Sequence, residues 1–284
     1  DYFGPKMRPM VEQAEAICAD KGTGKKILVY CWRGGMRSGA VSWLLDMYGF
    51  KVYTLVGGYK KFRNKVLDTF RQPFRFRILG GFTGSGKTEL LQELVRRGEA
   101  VTDLEGIAKH KGSAFGNIGM PPQPGQEMFE NLLALDLLAK AATGNPIWLE
   151  DESQRIGHVN IPHDCWKTMR QSPVWFLDIP FEERLTHITE EYGKLDRDRL
   201  CDAIARISEK LGGLNAKQST AFLQEGKIRE SFEILLRYYD KFYFRSLHNR
   251  EQVNSLLHTV ACKSVSVENA LPLIHPHPGP QEIV

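Results

Sequence analysis

The run Phe76-Arg77-Ile78-Leu79-Gly80-Gly81-Phe82-Thr83-Gly84-Ser85-Gly86-Lys87-Thr88 decides how most of this chain folds. A short apolar stretch, Phe76 to Gly80, enters a loop with G-x-x-x-x-G-K-[ST] spacing and leaves it into a helix-like segment. That is the strand–loop–helix context of a phosphate-binding loop. Glycines let the backbone curl so that successive N–H groups face phosphate oxygens, and the helix N-terminus adds partial positive charge. Gly81, Gly84, Ser85 and Gly86 are the expected cradle; Lys87 reaches the terminal phosphate and Thr88 holds Mg²⁺. The ligand is a nucleotide or another diphosphate.

Downstream of this loop, strand-like and helix-like runs alternate: 76–80, 89–97, 100–104, 126–142, 146–150 and 174–179. Alternation of this kind specifies an α/β fold with a parallel, doubly wound sheet. From Phe181 to about Asn249 the pattern is helical and basic, and Leu256–Ala261 reads as a returning strand. Ile147-Trp148-Leu149-Glu150-Asp151-Glu152 is an apolar strand ending in acids, which delivers carboxylates to the sheet edge where phosphates and Mg²⁺ sit. Asp151 is favoured over Glu150 as the metal partner, with Asp103 a rival at the same edge. The stretch from Asp103 to Gly116 reads as a long glycine-rich basic loop, either a solvated surface or a grip on the ligand.

A second motif lies upstream. Lys26-Ile27-Leu28-Val29-Tyr30 feeds Cys31-Trp32-Arg33-Gly34-Gly35-Met36-Arg37-Ser38, and a helix-like segment follows. A thiol at a helix N-terminus has a lowered pKa, and Arg33 and Arg37 are expected to lower it further. Cys31, Arg33 and Arg37 are therefore the candidate catalytic group, against the plain alternative of a small buried hydrophobe at a strand end. The loop from Cys31 to Arg37 is one residue longer than the common sulfurtransferase loop and matches that of rhodanese-fold phosphatases.

The chain has 284 residues, 42% apolar and 25% charged, with a net charge of +4. This is an ordinary globular composition with room for about two domains. No apolar run is long enough to span a membrane. The five cysteines lie far apart, without zinc or disulfide-scaffold spacing, which fits a reducing cytoplasm. Basic charge permits nucleic-acid binding without establishing it. Domain boundaries are expected at 1–72, 73–270 with a helical region at about 181–250, and a tail at 271–284 whose proline-rich run begins at His275.

The combination of Cys31–Ser38, Val56-Gly57-Gly58-Tyr59, Gly81–Thr88, Asp103-Leu104-Glu105-Gly106 and Gly112-Ser113-x-Phe115-Gly116 resembles tRNA 2-selenouridine synthase. That family joins a rhodanese domain to a P-loop domain; the resemblance runs from about Gly22 to Leu257 and implies a partial rhodanese-like domain lacking its N-terminal part. It further implies a transferase acting on wobble 2-thiouridine of tRNA. Geranyl diphosphate first alkylates the sulfur, and selenophosphate then supplies selenium. Cys31 matches the selenium-carrying cysteine, and Lys87 and Thr88 match the diphosphate loop. Arg229, Arg237 and Lys241, interleaved with Tyr192, Tyr238, Tyr239 and Tyr243, are expected to contact the anticodon region, although neighbouring acids offset much of this charge. Trp148, Phe115 and Met120 are candidates to line the prenyl path. A P-loop kinase or NTPase with a sulfur-relay domain, a phosphatase at Cys31 and a regulatory nucleotide-binding module stay open as alternatives.

Overall fold

The computed structural model describes residues 4–274, so the proline-rich run from His275 lies outside the described residues. The chain divides into two compact units, Asp1–Thr69 and Phe70–Val284.

In the first unit, α1 (Gly4–Asp20), β1 (Lys26–Val29), α2 (Met36–Met47), β2 (Lys51–Thr54) and α3 (Gly58–Thr69) follow in order. β1 and β2 pair in parallel, with Leu28 opposite Tyr53. Strand side chains alternate between faces. Ile27, Val29 and Val52 accordingly pack onto a cluster of Val11, Ala14, Cys18, Leu44, Leu45 and Phe50 supplied mainly by α1 and α2. Leu28 and Tyr53, on the opposite face, stay about half exposed.

The second unit begins with β3 (Phe76–Gly81), α4 (Lys87–Arg96), β4 (Ala100–Val101), α5 (Leu104–Ala108), α6 (Gln126–Ala141) and β5 (Ile147–Glu150). A small hairpin, β6 (Arg155–Ile156) with β7 (Val159–Asn160), precedes α7 (His163–Arg170) and β8 (Val174–Asp178). Then come α8 (Phe181–Tyr192), α9 (Arg197–Leu211), α10 (Gly213–Gln224), α11 (Ile228–His248), α12 (Val253–Leu256) and β9 (Leu257–Ala261). The sheet order is β4-β5-β3-β8-β9, with every pairing parallel. β3 is central, and its Ile78 and Leu79 are fully buried, as a strand covered on both faces requires. The phosphate-loop sequence therefore leaves the middle of the sheet at its carboxyl edge, where α/β ligands bind.

Two expectations change here. The stretch from Asp103 begins with a helix, α5, because the Asp103 carboxylate caps it by accepting from the Gly106 N–H at 2.7 Å. The region expected as tail begins with a short helix, α13 (Leu271–Ile274), whose Leu273 is fully buried against the Leu90–Leu94 side of the core. Leu273 and Ala270 fill space beside α4, so 271–274 belongs to the packed fold.

Candidate functional site

The loop after β1 holds Cys31 half-buried beside the N-terminus of α2. The Gly35 N–H and the Ser38 hydroxyl both donate to the Cys31 sulfur at 3.3 Å. The same hydroxyl lies 3.0 Å from the Gly35 carbonyl, so its single proton turns to whichever acceptor is stronger. The thiol is held down at about 6, first by the Ser38 hydroxyl and then by the Gly35 N–H, so it is largely thiolate at neutral pH. This corrects the part assigned to the arginines. The guanidinium groups of Arg33 and Arg37 are exposed, and Arg33 contributes only through its backbone. Ser38, already inside the motif, does the work expected of them.

The Val56–Tyr59 motif closes this loop from beneath. Tyr59 and Lys60 N–H groups donate to the carbonyls of Cys31 and Trp32, both at 2.9 Å. A Cβ on Gly34 would lie 2.6 Å from the Gly58 nitrogen, so the two backbones touch only because both residues are glycine.

In the second unit, residues 81–88 form one end of a cleft of about 700 Å³. Gly84, at φ 82°, passes so close to α8 that a Cβ would lie 2.8 Å from the Arg184 carbonyl. Gly86, at φ 67°, turns the chain into α4. Lys87 donates to the Gly81 carbonyl at 2.9 Å, and the buried Ser85 hydroxyl braces the Phe82 carbonyl at 2.6 Å. Gly81, Gly84, Ser85, Gly86, Lys87 and Thr88 all line the cleft.

Two long-range ties fix this loop, and neither is visible in the local sequence. Arg184, 3% exposed, grips Asp240 with two hydrogen bonds at 3.0 and 2.8 Å and donates to the Thr83 carbonyl at 3.0 Å. Bidentate, charge-assisted bonding of this kind is among the stronger polar contacts available. Tyr243 accepts from the Gly81 N–H at 3.1 Å and donates to Asp151 at 2.8 Å, while Arg250 takes the other Asp151 oxygen.

Asp151 is therefore not the free metal partner expected of it: both oxygens are engaged, and its side chain is 6% exposed. Asp103 is likewise committed as a helix cap. Besides Asp151, the cleft is lined by Glu89, Glu105, Glu150, Glu152 and Glu191, and the Lys87 charge acts on Glu105 and Glu152. Burial pushes the Glu150 carboxyl up to about 8, with Asp103 and Glu105 adding repulsion. Burial likewise raises Glu152 and Glu105, which share a hydrogen bond, and Lys87 opposes both shifts. One Glu150 oxygen accepts from the Leu104 N–H at 3.2 Å; the other is buried without a hydrogen-bond partner. An orphaned buried carboxylate oxygen in a cleft that also contains Thr88 fits a divalent cation, so Glu150 rather than Asp151 suits that role.

The expected tRNA contacts are dispersed. Arg229 pairs with Glu182 at 2.6 Å, and Arg237 pairs with Glu233 at 2.8 Å while lying over the Phe181 ring; Lys241 is exposed. Tyr192 and Tyr243 turn inward to the cleft, leaving Phe242 and Phe244 as the exposed large rings of α11. Trp148 is buried against Trp175 and donates to Glu99, and Phe115 is buried among Tyr192, Phe232 and Tyr239, so neither lines an open channel.

Residues 74–265 match the family model described as the tRNA 2-selenouridine synthase AAA domain, and residues 3–65 match the rhodanese-like domain. A tRNA 2-selenouridine synthase of Cupriavidus pinatubonensis is 36% identical, the alignment covering 76% of this chain and 67% of the relative. One from Azotobacter vinelandii is 44% identical over 58% of this chain and 44% of the relative. One from Pseudomonas entomophila is 37% identical over 65% and 54%, respectively. The chain thus spans from under half to about two thirds of the length of these relatives.

Proposed function

The chain belongs to the tRNA 2-selenouridine synthase family, and on that premise we propose that it converts wobble 2-thiouridine in tRNA to 2-selenouridine through an S-geranyl intermediate. The observation that carries this reading is the presence, in one chain, of a thiol held near pKa 6 in an N–H cradle and a separate phosphate-loop cleft. The two sites suit two different anionic co-substrates, selenophosphate and geranyl diphosphate.

In the alkylation step, the thiouridine sulfur takes the geranyl carbon as its C–O bond to diphosphate breaks, and the ring N–H loses a proton. The residues of this chain act on the leaving group. Backbone N–H groups of the loop and Lys87 neutralise charge as it builds on diphosphate. Mg²⁺, held by Thr88 and Glu150, would add Lewis-acid neutralisation of the same oxygens. In the second step, selenium replaces the S-geranyl group, geranyl thiol leaves and water takes up the phosphoryl group of selenophosphate. Cys31, its thiolate stabilised by the Gly35 N–H and Ser38 hydroxyl, is the nucleophile placed for this step: it can take the phosphoryl group as the P–Se bond breaks, freeing selenide for the exchange, and water then hydrolyses the phosphocysteine to phosphate.

A phosphatase at Cys31 is the second reading, favoured by the loop length to Arg37 and by the Ser38 hydroxyl on the sulfur. Mass spectrometry of wobble nucleosides, after incubation of the purified chain with 2-thiouridine tRNA, geranyl diphosphate and selenophosphate, tests the proposal. Geranylated and selenated nucleosides support it. Cleavage of phosphate esters with neither product supports the phosphatase.

A further inference from the structure

Four rings gather at the Cys31 loop without joining a core. Tyr30 and Trp32 flank Cys31 in sequence, and the Tyr59 ring of α3 lies against both, with centroids 5.9 Å apart in each case. Phe62, one turn further along α3, extends the row at 5.8 Å. The backbone fixes Tyr59 there, since its N–H donates to the Cys31 carbonyl. None of the four packs into the buried cluster of Val11, Ala14, Cys18, Leu44, Leu45 and Phe50 that holds the first unit together. Tyr30 stays 54% exposed and Trp32 51% exposed. Large rings left open together mark a contact surface.

The charge around them has one sign. Arg33 in the loop, Arg37 in the first turn of α2, and Lys60 and Lys61 on α3 are exposed and carry no ion pair among the described residues. Residues 1–69 hold twelve lysines and arginines against six aspartates and glutamates, although the whole chain nets only +4, so the remaining residues are slightly acidic. Two copies of this face would oppose like charges, and an apolar peptide would use the rings and waste the cations. An RNA loop uses both: an unpaired base stacks on a ring while flanking phosphates meet the cations. Selenide freed as the P–Se bond breaks is small and diffusible, so the base that accepts it must lie close to Cys31 at that moment.

We propose that the ledge of Tyr30, Tyr59 and Trp32 receives one unpaired base of an RNA loop, stacked on Trp32 next to the Cys31 sulfur, with Arg33, Arg37, Lys60 and Lys61 on the flanking phosphates. This rests on the reading of tRNA as the substrate.

Fluorescence anisotropy of the full chain with two stem–loop RNAs tests it, one carrying 2-thiouridine in its loop and the other an abasic nucleotide at the same place. The wild type should bind the base-bearing RNA about tenfold more tightly, the scale of one stacked base. Trp32→Ala should erase that preference by weakening the base-bearing RNA alone, and Trp32→Phe should keep most of it. Replacing Lys60 and Lys61 with alanine should weaken both RNAs alike and flatten the log–log salt slope by about 0.7 per lost contact. Iodoacetamide alkylation of Cys31 with its midpoint still near 6 shows that the loop of Trp32→Ala is intact. If that midpoint moves, Tyr30→Ala, read in the same way, decides. Equal binding of the two RNAs by the wild type, or an equal loss for both in Trp32→Ala, overturns the ledge and leaves the tRNA reading standing. Failure to bind either RNA overturns that reading as well. Light scattering that finds pairs of wild-type chains, separated by Trp32→Ala, assigns the rings to a second copy and overturns the proposal.

Discussion

Tyr243 takes the Gly81 amide proton at 3.1 Å, tying the first glycine of the phosphate loop to a helix 162 residues away. Its own hydroxyl proton goes to Asp151, and Arg250 completes the chain. Tyr243→Phe would keep the ring contacts with Phe82 and Phe176 while leaving the Gly81 N–H and one Asp151 oxygen without partners. Stability should fall by about 1–3 kcal/mol, the cost of stranding a buried polar group. Urea unfolding reads this directly, and an unchanged midpoint would show that the tie carries no weight.

Ser38 sets the reactivity of Cys31. Alkylation of Cys31 by iodoacetamide should rise with pH through a midpoint near 6. Ser38→Ala removes the largest influence that holds the thiol down, so the midpoint should move up toward that of an ordinary thiol. Arg37→Ala should leave it close to the wild-type value, because the guanidinium is exposed and is not among the causes of the shift. A midpoint that moves with Arg37 and not with Ser38 would reverse the assignment.

What could be read in advance was local. The phosphate loop, the Cys31 loop and the sheet edge reached by β5 all follow from spacing within about ten residues, and a strand period or a glycine turn is encoded on that scale. The helix at Leu104 was also legible, since Asp103 stands three residues before the Gly106 N–H it caps. The glycines from Gly106 to Gly116 argued more loudly for a loop. What could not be read were pairings across the chain. Arg184 meets Asp240 over 56 residues, and Asp151 meets Tyr243 over 92. These contacts depend on how α8 and α11 pack, and they decide which carboxylate is spent and which is left. In sequence Asp151 is favoured over Glu150 as the partner of a cation; the Tyr243 and Arg250 contacts, which engage both Asp151 oxygens, are what turn the comparison toward Glu150.

The two sites should fail separately. Cys31→Ala should abolish selenium incorporation while S-geranyl-2-thiouridine continues to form. Lys87→Ala should slow geranyl transfer by about 10²–10³-fold, the usual cost of one lost contact to developing charge. Single-turnover assays with mass spectrometry of the nucleosides distinguish the two. Loss of both products in a folded Cys31→Ala protein would refute separate sites.

Glu150 gives stability a pH dependence whose sign is fixed. Its carboxyl is raised to about 8, so the folded chain binds this proton more tightly than the unfolded chain. The resulting stabilisation is greatest on the acid side and is lost as pH rises from the ordinary glutamate range through about 8. Glu150→Gln has no proton to lose, so its stability should vary less across that window. Thermal unfolding without divalent cations, compared at about pH 5 and about pH 8, should show wild type losing more ground than the variant. Parallel losses would mean that Glu150 is not the group responsible.

The charge pairs on α11 rank the residues expected to meet tRNA. Arg229 is already matched by Glu182, and Arg237 by Glu233, so phosphate contact there must first compete with a carboxylate. Lys241 is exposed on the same helix, next to the open ring of Phe242. Each phosphate neutralised releases counterions and steepens the salt dependence of binding by about 0.7 to 0.9 in the log–log slope. Lys241→Ala should therefore flatten the slope by nearly one such unit, whereas Arg229→Ala should change it little. Replacing Arg229, Arg237 and Lys241 together should weaken tRNA binding and leave pyrophosphate affinity intact, since none of the three lines the phosphate-loop cleft. Filter binding across a salt series measures both quantities. If neither the affinity nor the slope responds to the triple change, α11 is not the tRNA face, and the segment from Asp103 to Gly119, whose Lys111 lines the cleft, becomes the next surface to test.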